Sequence, residues 1–302
     1  MFVFQPLAPD TRRDLLDAGL DPDAVAALVR SAVAEDLLGG VDVTSMATVP
    51  DDHVSVATFT SRRPGVVAGI TVAAAVIDAV CGTEHRFDRL VDDGSRVEPG
   101  QPIARVTAPT RPLLTAERTA LNLLCHLSGV ATLTRRWADQ LEGTAATVRD
   151  TRKTTPGLRA LEKYAVRVGG GANHRMGLSD MALVKDNHVL AAGGVAEACA
   201  RVRSLASSIP VEIEVDTIDG LRTAIAAGAD EVLLDNFSVD QLREAVAYRD
   251  AHAPEVQLEA SGGLTLDSAR AVGATGVDWI AVGELTHSAR ILDIGLDFEA
   301  TG

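Results

Sequence analysis

Basic side chains are concentrated in one stretch of an acidic chain. Over Arg149–His188 basic residues outnumber acidic ones two to one, whereas the whole chain has a formal net charge of -14. Arg152 and Lys153 follow one predicted strand. Arg175 follows a glycine triplet, and Lys185 ends another predicted strand. A continuous run of charge would indicate a solvated face, but cations at the ends of separate strands can converge on one pocket. The spacing therefore predicts a pocket for an anion.

Acidic side chains follow the same pattern further along the chain. Three carboxylates alternate with Val and Ile over residues 211–216, so they share one face of a predicted strand. Carboxylates at that density need cations close by. Glu214 and Asp235, at the ends of neighbouring strands, are suitable oxygen ligands for Mg²⁺ held partly through water and a substrate phosphate. Simple pairing with Lys185 and Arg175 is the alternative.

Two glycine-containing segments close the last two predicted strands. They read ASGG at 260–263 and AVGE at 281–284. α/β barrels commonly bind a phosphate at this place through backbone N–H groups, and glycine lets the anion approach the backbone closely. Either segment alone would be an ordinary turn, but their position on the last two strands favours a phosphate site.

Several arginines could bind one small substrate. Arg118, Arg152 and Arg175 carry planar forks that bind carboxylates bidentately, which suggests a substrate with more than one carboxylate. An isolated histidine is more often a structural residue. Because His174 directly precedes Arg175, we interpret it as a substrate contact.

The composition is that of an α/β protein with one large or two ordinary domains. The 302 residues are 46% hydrophobic, 23% charged and 3% aromatic. The acidic balance argues against a nucleic-acid surface. No uncharged run reaches the roughly 20 residues that span a bilayer, and the N-terminus lacks a signal-peptide pattern. The three separated cysteines indicate neither a disulfide framework nor a zinc site, so a cytoplasmic location is predicted.

The first third of the chain is predicted to mix helices and short strands. Helical spacing covers residues 10–38, with Asp21 as an N-cap and Pro22 at the first helical position. Residues 39–45 are rich in turn-forming types. Alternation of apolar and polar residues then predicts a strand over 53–67.

A second group of strands and a long helix complete the first half. Residues 85–109 have turn signals between strand-like runs. They resemble a lipoyl or biotinyl carrier hairpin, but no lysine is presented at the tip, so a small sheet packed on helices is predicted. A helix from about Leu114 to Gln140 then connects two domains.

Strands and helices alternate in the second half. This alternation predicts parallel βα units with right-handed crossovers. A complete eight-stranded barrel needs about 250 residues, so we predict an incomplete barrel of six or seven strands. The predicted strands occupy residues 145–151, 181–187, 211–216, 231–237, 257–263 and 278–284.

Taken together, these residues resemble the quinolinate phosphoribosyltransferase family. The matching motifs are EDLLGGVDVTS at 35–45, TAERTALNLLCHLSG at 115–129, DTRKTTPGLRALEKYAVRVGGGANHRMGL at 150–178 and VKDNH at 184–188, followed by IEVD, LLDNF, EASGG and VGELTHSA. The resemblance implies an N-terminal α/β sandwich domain over 1–128, to which a C-terminal tail of 286–302 returns. It also implies an incomplete α/β barrel of the type II phosphoribosyltransferase type over 129–285. The implied assembly is a homodimer whose active sites are shared across the interface.

The resemblance also implies a role for individual residues. Catalysis would fall to Lys153, Glu214 and Asp235, the last two also holding Mg²⁺, partly through water. Quinolinate would be bound by Arg152, His174, Arg175 and Lys185, with Arg118 arriving from the partner subunit. Phosphoribosyl diphosphate would be bound by Thr151, Lys153, Lys185, Glu214, Asp235, Ser261, Gly262, Gly263, Val282, Gly283 and His287.

The implied reaction joins the pyridine nitrogen of quinolinate to C1 of phosphoribosyl diphosphate. Diphosphate and CO2 leave, and nicotinate mononucleotide is formed in de novo NAD biosynthesis. Two other interpretations stay open. One is a related phosphoribosyltransferase-like protein with a different ring substrate, such as the molybdate-locus homologues. The other is a non-catalytic phosphate-binding barrel, which the donor and metal residues Lys153, Glu214 and Asp235 argue against.

Overall fold

A computed structural model describes residues 2–299. The chain forms two compact units. Among the described residues, the first comprises 2–133, 155–169 and 289–299, and the second comprises 134–154 and 170–288. The predicted domain boundaries at 128 and 285 stay a prediction. The packing differs from them chiefly at residues 155–169, which lie in the first unit.

The helices and strands follow one another along the described residues in this order. The helices are α1 Pro9–Asp17, α2 Pro22–Leu37, α3 Val43–Thr48, α4 Ile70–Cys81, α5 Thr110–Leu141, α6 Arg159–Val168, α7 Asp186–Ala192, α8 Val195–Leu205, α9 Ile218–Ala226, α10 Val239–His252, α11 Leu266–Gly273 and α12 Glu284–His287. The strands are β1 Val54–Ser61, β2 Gly65–Val66, β3 Arg86–Arg89, β4 Arg96–Val97, β5 Pro102–Pro109, β6 Thr147–Arg149, β7 Ala182–Val184, β8 Val211–Val215, β9 Glu231–Asp235, β10 Gln257–Ser261, β11 Trp279–Ala281 and β12 Ile294–Phe298. Within residues 2–299, no helix combines the length and the apolar content needed to cross a bilayer.

The first unit contains an antiparallel sheet and helices, which confirms the predicted N-terminal α/β fold. Its four strands lie in the order β12-β1-β5-β3. Every residue of α4 is buried, since the run ITVAAAVIDAVC is apolar on all faces apart from Thr71 and Asp78. The predicted cap is also confirmed, because the Asp21 side chain accepts a hydrogen bond from the N–H of Asp23. The turn-rich segment 39–45 is shorter than predicted: residues 39–42 lie outside any helix, but α3 begins at Val43, with Asp42 as its cap.

Buried polar contacts hold residues 155–169 in the first unit. The Tyr164 hydroxyl donates to Asp93 over 2.5 Å. Glu162 is fully buried and binds both Nε2 of His126, at 2.8 Å, and the N–H of Thr155, at 3.0 Å. A buried carboxylate needs such partners, so these contacts fix the position of α6 in the unit.

A buried ion pair fastens the N-terminal segment to α4. Nε2 of His85 lies 3.0 Å from Asp78, whose other oxygen accepts from the N–H of Ala8 at 2.9 Å. Nδ1 of His85 lies 2.6 Å from the carbonyl of Gly82. Since a carbonyl and a carboxylate are both acceptors, both ring nitrogens must donate, and the imidazole is positively charged. The hydrogen bond to Asp78 raises the pKa of His85 above its ordinary value of 6.5.

This pair makes part of the stability pH-dependent. Because the folded-state pKa of His85 is raised, its stabilisation is fully present below about pH 6.5 and is lost as the pH rises through the folded pKa. We therefore expect the difference in free energy of unfolding between the wild type and His85→Gln to shrink as the pH rises through that window. Urea unfolding followed by circular dichroism measures it, and a difference that is constant with pH would contradict the charged pair.

The second unit contains one six-stranded parallel sheet. Its strand order is β6-β11-β10-β9-β8-β7, so β6 and β7 are its two edges. This confirms the incomplete α/β fold, with six strands among the described residues. Short loops follow the strands, and Thr217, Ser238 and Thr265 each cap the next helix with a side-chain oxygen. The carboxyl ends of the strands therefore carry loops that are tightly fixed at both ends.

Candidate active site

A cavity of about 330 Å³ lies in the second unit at the carboxyl ends of the parallel strands. Leu183 and Leu233 form part of its apolar wall, and Glu259 forms part of its floor. The sequence-predicted site residues that line it are Thr151, Arg152, Lys153, His174, Arg175, Lys185, Glu214, Asp235 and Ser261. Because the carboxyl ends of the parallel strands lie at one edge of the sheet, residues from widely separated parts of the chain meet in this cavity.

Basic side chains face this cavity from three loops. Arg152 and Lys153 follow β6, Arg175 lies in the loop before β7, and Lys185 follows β7. Burial, and next the positive charge of Arg152, lower the pKa of Arg175. Like charges placed side by side repel each other, and an anion between them removes that repulsion. The charge distribution therefore suits an anionic ligand.

The two predicted metal-binding carboxylates line the same cavity. Glu214 lies on β8 and Asp235 ends the neighbouring β9. Nζ of Lys185 lies 2.5 Å from Glu214, so the pairing with protein cations that the sequence left open is present for this carboxylate. Asp235 accepts a hydrogen bond of 2.8 Å from the side-chain amide of Asn236.

The remaining predicted phosphate-binding residues lie outside the cavity lining. They are Gly262, Gly263, Val282, Gly283 and His287. Gly262 has a φ of +87°, which other residues rarely adopt. A Cβ at Gly283 would lie 3.0 Å from Nε2 of His287 and 3.2 Å from Cδ of Lys153, so this backbone lies against a residue that does line the cavity.

A buried network of charges underlies the cavity, and sequence reasoning missed most of it. Arg149 is 4% exposed and binds three carboxylates: Glu212 at 3.2 Å, Glu231 at 2.7 Å, and Glu259 through its Nε. Burial, and next the charge of Glu212, raise the pKa of Glu259 well above its ordinary value. The available signal was a charged residue at a buried position in four largely apolar strands: Arg149 in β6, Glu212 in β8, Glu231 in β9 and Glu259 in β10.

His174 is held on two sides by the protein. Its Nε2 lies 2.7 Å from Glu212, and its Nδ1 accepts a hydrogen bond of 2.8 Å from the N–H of Arg175. The N–H of His174 in turn donates to Asp150 at 3.0 Å. Both ring nitrogens are thus engaged, and a direct contact from either nitrogen to a ligand requires one of these bonds to be exchanged.

Arg118 differs from the other predicted substrate ligands in its location. It lies on the part of α5 that belongs to the first unit, whereas the cavity residues belong to the second unit. Its contribution to the cavity stays a prediction.

Sequence profiles and known proteins match this chain over most of its length. The profile described as quinolinate phosphoribosyl transferase, C-terminal domain, matches residues 130–297, and that of the N-terminal domain matches residues 42–128. The chain is 54% identical over 276 residues to the carboxylating nicotinate-nucleotide pyrophosphorylase of Mycobacterium leprae, covering 91% of this chain and 97% of that protein. It is 41% identical over 263 residues to the probable Bacillus subtilis enzyme, covering 86% and 89%.

Solved structures agree with this assignment. The nicotinate-nucleotide pyrophosphorylase of Francisella tularensis superposes with a TM-score of 0.86 at 39% identity, covering 92% of this chain and 96% of that one. With both domain profiles matched and a 54% identical relative covered almost completely, the chain belongs to the quinolinate phosphoribosyl transferase family.

Proposed function

We propose that this protein transfers the phosphoribosyl group of phosphoribosyl diphosphate to the pyridine nitrogen of quinolinate and releases diphosphate, CO2 and nicotinate mononucleotide. This is the carboxylating nicotinate-nucleotide pyrophosphorylase reaction of NAD biosynthesis, named for the reverse direction. The observation that carries the proposal is the convergence of Arg152, Lys153, Arg175 and Lys185 on one cavity. Quinolinate carries two carboxylates and the donor carries three phosphate groups, so both substrates need a strongly cationic site.

The cationic side of the cavity is assigned to quinolinate. Arg152 and Arg175 can bind carboxylates bidentately, and Lys185 adds a point charge. The fourth cation is Arg118 of the partner subunit. His174 belongs to this group through its position in the wall, where Glu212 and the N–H of Arg175 hold its ring.

The other side of the cavity is assigned to phosphoribosyl diphosphate. Lys153 and Lys185 neutralise the diphosphate. Thr151 adds a hydroxyl, whose oxygen accepts a hydrogen bond of 3.1 Å from the backbone N–H of Lys153. The 5-phosphate is assigned to the loops after β10 and β11, where the donors are Ser261, Gly262, Gly263, Val282, Gly283 and His287. Backbone N–H groups in such loops bind phosphate without a charged side chain.

The chemistry follows from where charge develops. As diphosphate leaves C1 of the ribose, positive charge builds on the sugar, and the carboxylates of Glu214 and Asp235 stabilise it. Lys153 stabilises the negative charge that moves onto the leaving group. The ring nitrogen then carries a positive charge, so the pyridinium accepts the electron pair of the C–C bond when CO2 leaves. No side-chain nucleophile is required.

Mg²⁺ is proposed as the cofactor. Glu214 and Asp235 fit its preference for oxygen ligands, since both are carboxylates at the ends of neighbouring strands in the cavity wall. They would hold it largely through water and diphosphate oxygens. When bound, the ion neutralises charge on the departing diphosphate. A second possible ligand group, His174, Glu212 and Glu259, is less suitable, because all three residues are buried and the two carboxylates already neutralise the buried Arg149.

A homodimer with shared active sites is part of the same proposal. An apolar groove of about 420 Å³ runs beside the edge strand β7 in the second unit. Leu178, which lines it, is 73% exposed, and such a surface is typical of a protein–protein interface.

The cytoplasmic location of the protein stays a prediction. The cysteines of the described chain, all free and buried, are consistent with a reducing compartment.

Substrate choice tests the proposed function. We expect quinolinate to turn over with phosphoribosyl diphosphate and Mg²⁺, and nicotinate to react with a kcat/KM at least about 100-fold lower, because one or more buried cations would then lack a partner. Nicotinate mononucleotide is followed by chromatography, and an excess of EDTA in a parallel reaction is expected to abolish its formation.

Each result excludes one alternative. Comparable turnover of nicotinate would contradict the dicarboxylate site and favour a phosphoribosyltransferase with another ring substrate. Binding of phosphoribosyl diphosphate without turnover of either acid would favour a non-catalytic barrel. Full activity in excess EDTA would remove the metal from the mechanism.

A further inference from the structure

The hydrogen-bond partners of His174 indicate which of its ring nitrogens carries a proton. A backbone N–H can only donate, so the N–H of Arg175, 2.8 Å from Nδ1, requires Nδ1 to be an unprotonated acceptor. The proton of a neutral imidazole then lies on Nε2, where Glu212 accepts it at 2.7 Å. A proton on both nitrogens would bring Nδ1–H against the N–H of Arg175. The arrangement therefore requires the neutral imidazole with Nε2–H.

Glu212 is itself held firmly in place. It is fully buried on β8, and its other oxygen binds Arg149 at 3.2 Å. The chain of contacts continues from His174 to Arg175, whose guanidinium donates to the carbonyl of Met181 at 3.0 Å while it lines the cavity. A buried carboxylate is thus connected through one imidazole to a backbone N–H at the edge of the site.

We propose that Glu212 is a positioning residue for the quinolinate site, which locks His174 as the Nε2–H tautomer and so fixes the main chain that presents Arg175 to the substrate carboxylates. This inference rests on the proposed function. It assigns His174 a mainly supporting role, since neither ring nitrogen is available to the substrate while both bonds persist. Glu212 does not line the cavity, so it affects quinolinate through the position of Arg175.

The chain contains a matched control for Glu212. Glu231 is its register partner on the neighbouring strand β9 and also binds Arg149, at 2.7 Å. The Glu231 carboxylate accepts a hydrogen bond from Arg149, and Glu231 does not line the cavity. Replacing either glutamate with methionine removes one negative charge from around Arg149 and keeps a similar side-chain volume. The two variants therefore differ mainly in the bond to His174.

The test compares steady-state kinetics of Glu212→Met and Glu231→Met. We expect Glu212→Met to raise the KM for quinolinate roughly tenfold or more, by analogy with the cost of losing a residue that orients a metal-binding histidine. The KM for phosphoribosyl diphosphate should change little. Glu231→Met should leave both KM values near the wild type. Equal changes in the two variants, or an equal rise of both KM values in Glu212→Met, would overturn the proposal.

A measurement on the wild type makes the test independent of variant folding. In protein labelled with ¹⁵N-histidine, the two nitrogens of a neutral imidazole have different chemical shifts, and the His174→Gln variant identifies its signals. We expect His174 to show a protonated Nε2 and an unprotonated Nδ1. A protonated Nδ1 would overturn the inference. If instead the wild type shows this tautomer but does not turn over quinolinate, the proposed function fails while the locked tautomer stands.

Discussion

Arg149→Met is expected to destabilise the second unit by about 3–5 kcal/mol, the cost of breaking a buried ion pair by removing one partner. Arg149 is 4% exposed and is the cation shared by Glu212, Glu231 and Glu259. Without it, three carboxylates remain close together in a low-dielectric interior, where each keeps a large desolvation cost. Because methionine fills a similar volume, the loss in free energy of unfolding arises from the missing charge and not from a cavity.

Tryptophan fluorescence measures this loss selectively. The chain has two tryptophans, Trp137 and Trp279, and both lie in the second unit. The guanidinium of Arg149 lies 5.0 Å from the centre of the Trp279 ring, so one probe is adjacent to the change. The control is Arg243→Met, which removes an exposed ion pair with Asp240 in the same unit and should not change the urea midpoint measurably.

The effect of Arg149→Met should also depend on pH. Burial already raises the pKa of Glu259 in the wild type, and loss of the guanidinium raises it further. With a raised folded-state pKa, the folded protein binds more protons than the unfolded one, so stability falls as the pH rises above about 4.3, the ordinary pKa of glutamate. The difference between variant and wild type should therefore be smallest in acid. A small difference at neutral pH would show that the carboxylates are not held by Arg149.

This network also shows what the sequence could not predict. The cavity residues were found because parallel strands end at one edge, so Lys185, Glu214 and Asp235 could be placed together from strand order alone. Arg149 and its partners are separated by 63, 82 and 110 residues along the chain. A charged residue in an apolar strand indicates that a partner of opposite charge exists, but it does not identify that partner.

Local signals had similar limits. The helix α7, Asp186–Ala192, was not predicted, because residues 181–187, MALVKDN, were interpreted as one strand, whereas β7 ends at Val184. Residues 155–169 fall inside the barrel range of 129–285 that the family resemblance implied, within the single motif at 150–178. The bonds from Tyr164 to Asp93 and from His126 to Glu162 join residues 71 and 36 positions apart, which no periodicity reveals. Tertiary contacts therefore decided both the unit to which α6 belongs and its exact packing.

Mixing two inactive variants is expected to restore activity if Arg118 acts across a dimer interface. Arg118 lies in the first unit and Lys153 lines the cavity of the second. Arg118→Ala and Lys153→Ala should each be nearly inactive as homodimers, since every site then lacks one charge-assisted contact. In a mixed dimer, the Arg118→Ala chain keeps its own Lys153 and receives Arg118 from the Lys153→Ala chain. One site is then complete, and the other carries both changes.

The amount of activity recovered distinguishes a site shared between subunits from one in which Arg118 acts within its own chain. With random reassociation, half of the dimers are mixed and each has one complete site of two, so we expect about a quarter of wild-type activity. The two variants are unfolded together and refolded, and differently tagged chains are used to isolate the mixed dimer. A control mixture of Arg152→Ala with Lys153→Ala should stay as inactive as its parents if both residues act within one chain. Each site of that mixed dimer still lacks one of the two residues. Purified Arg118/Lys153 mixed dimers that are as inactive as their parents would show that Arg118 serves its own chain, and the shared-site arrangement would fail.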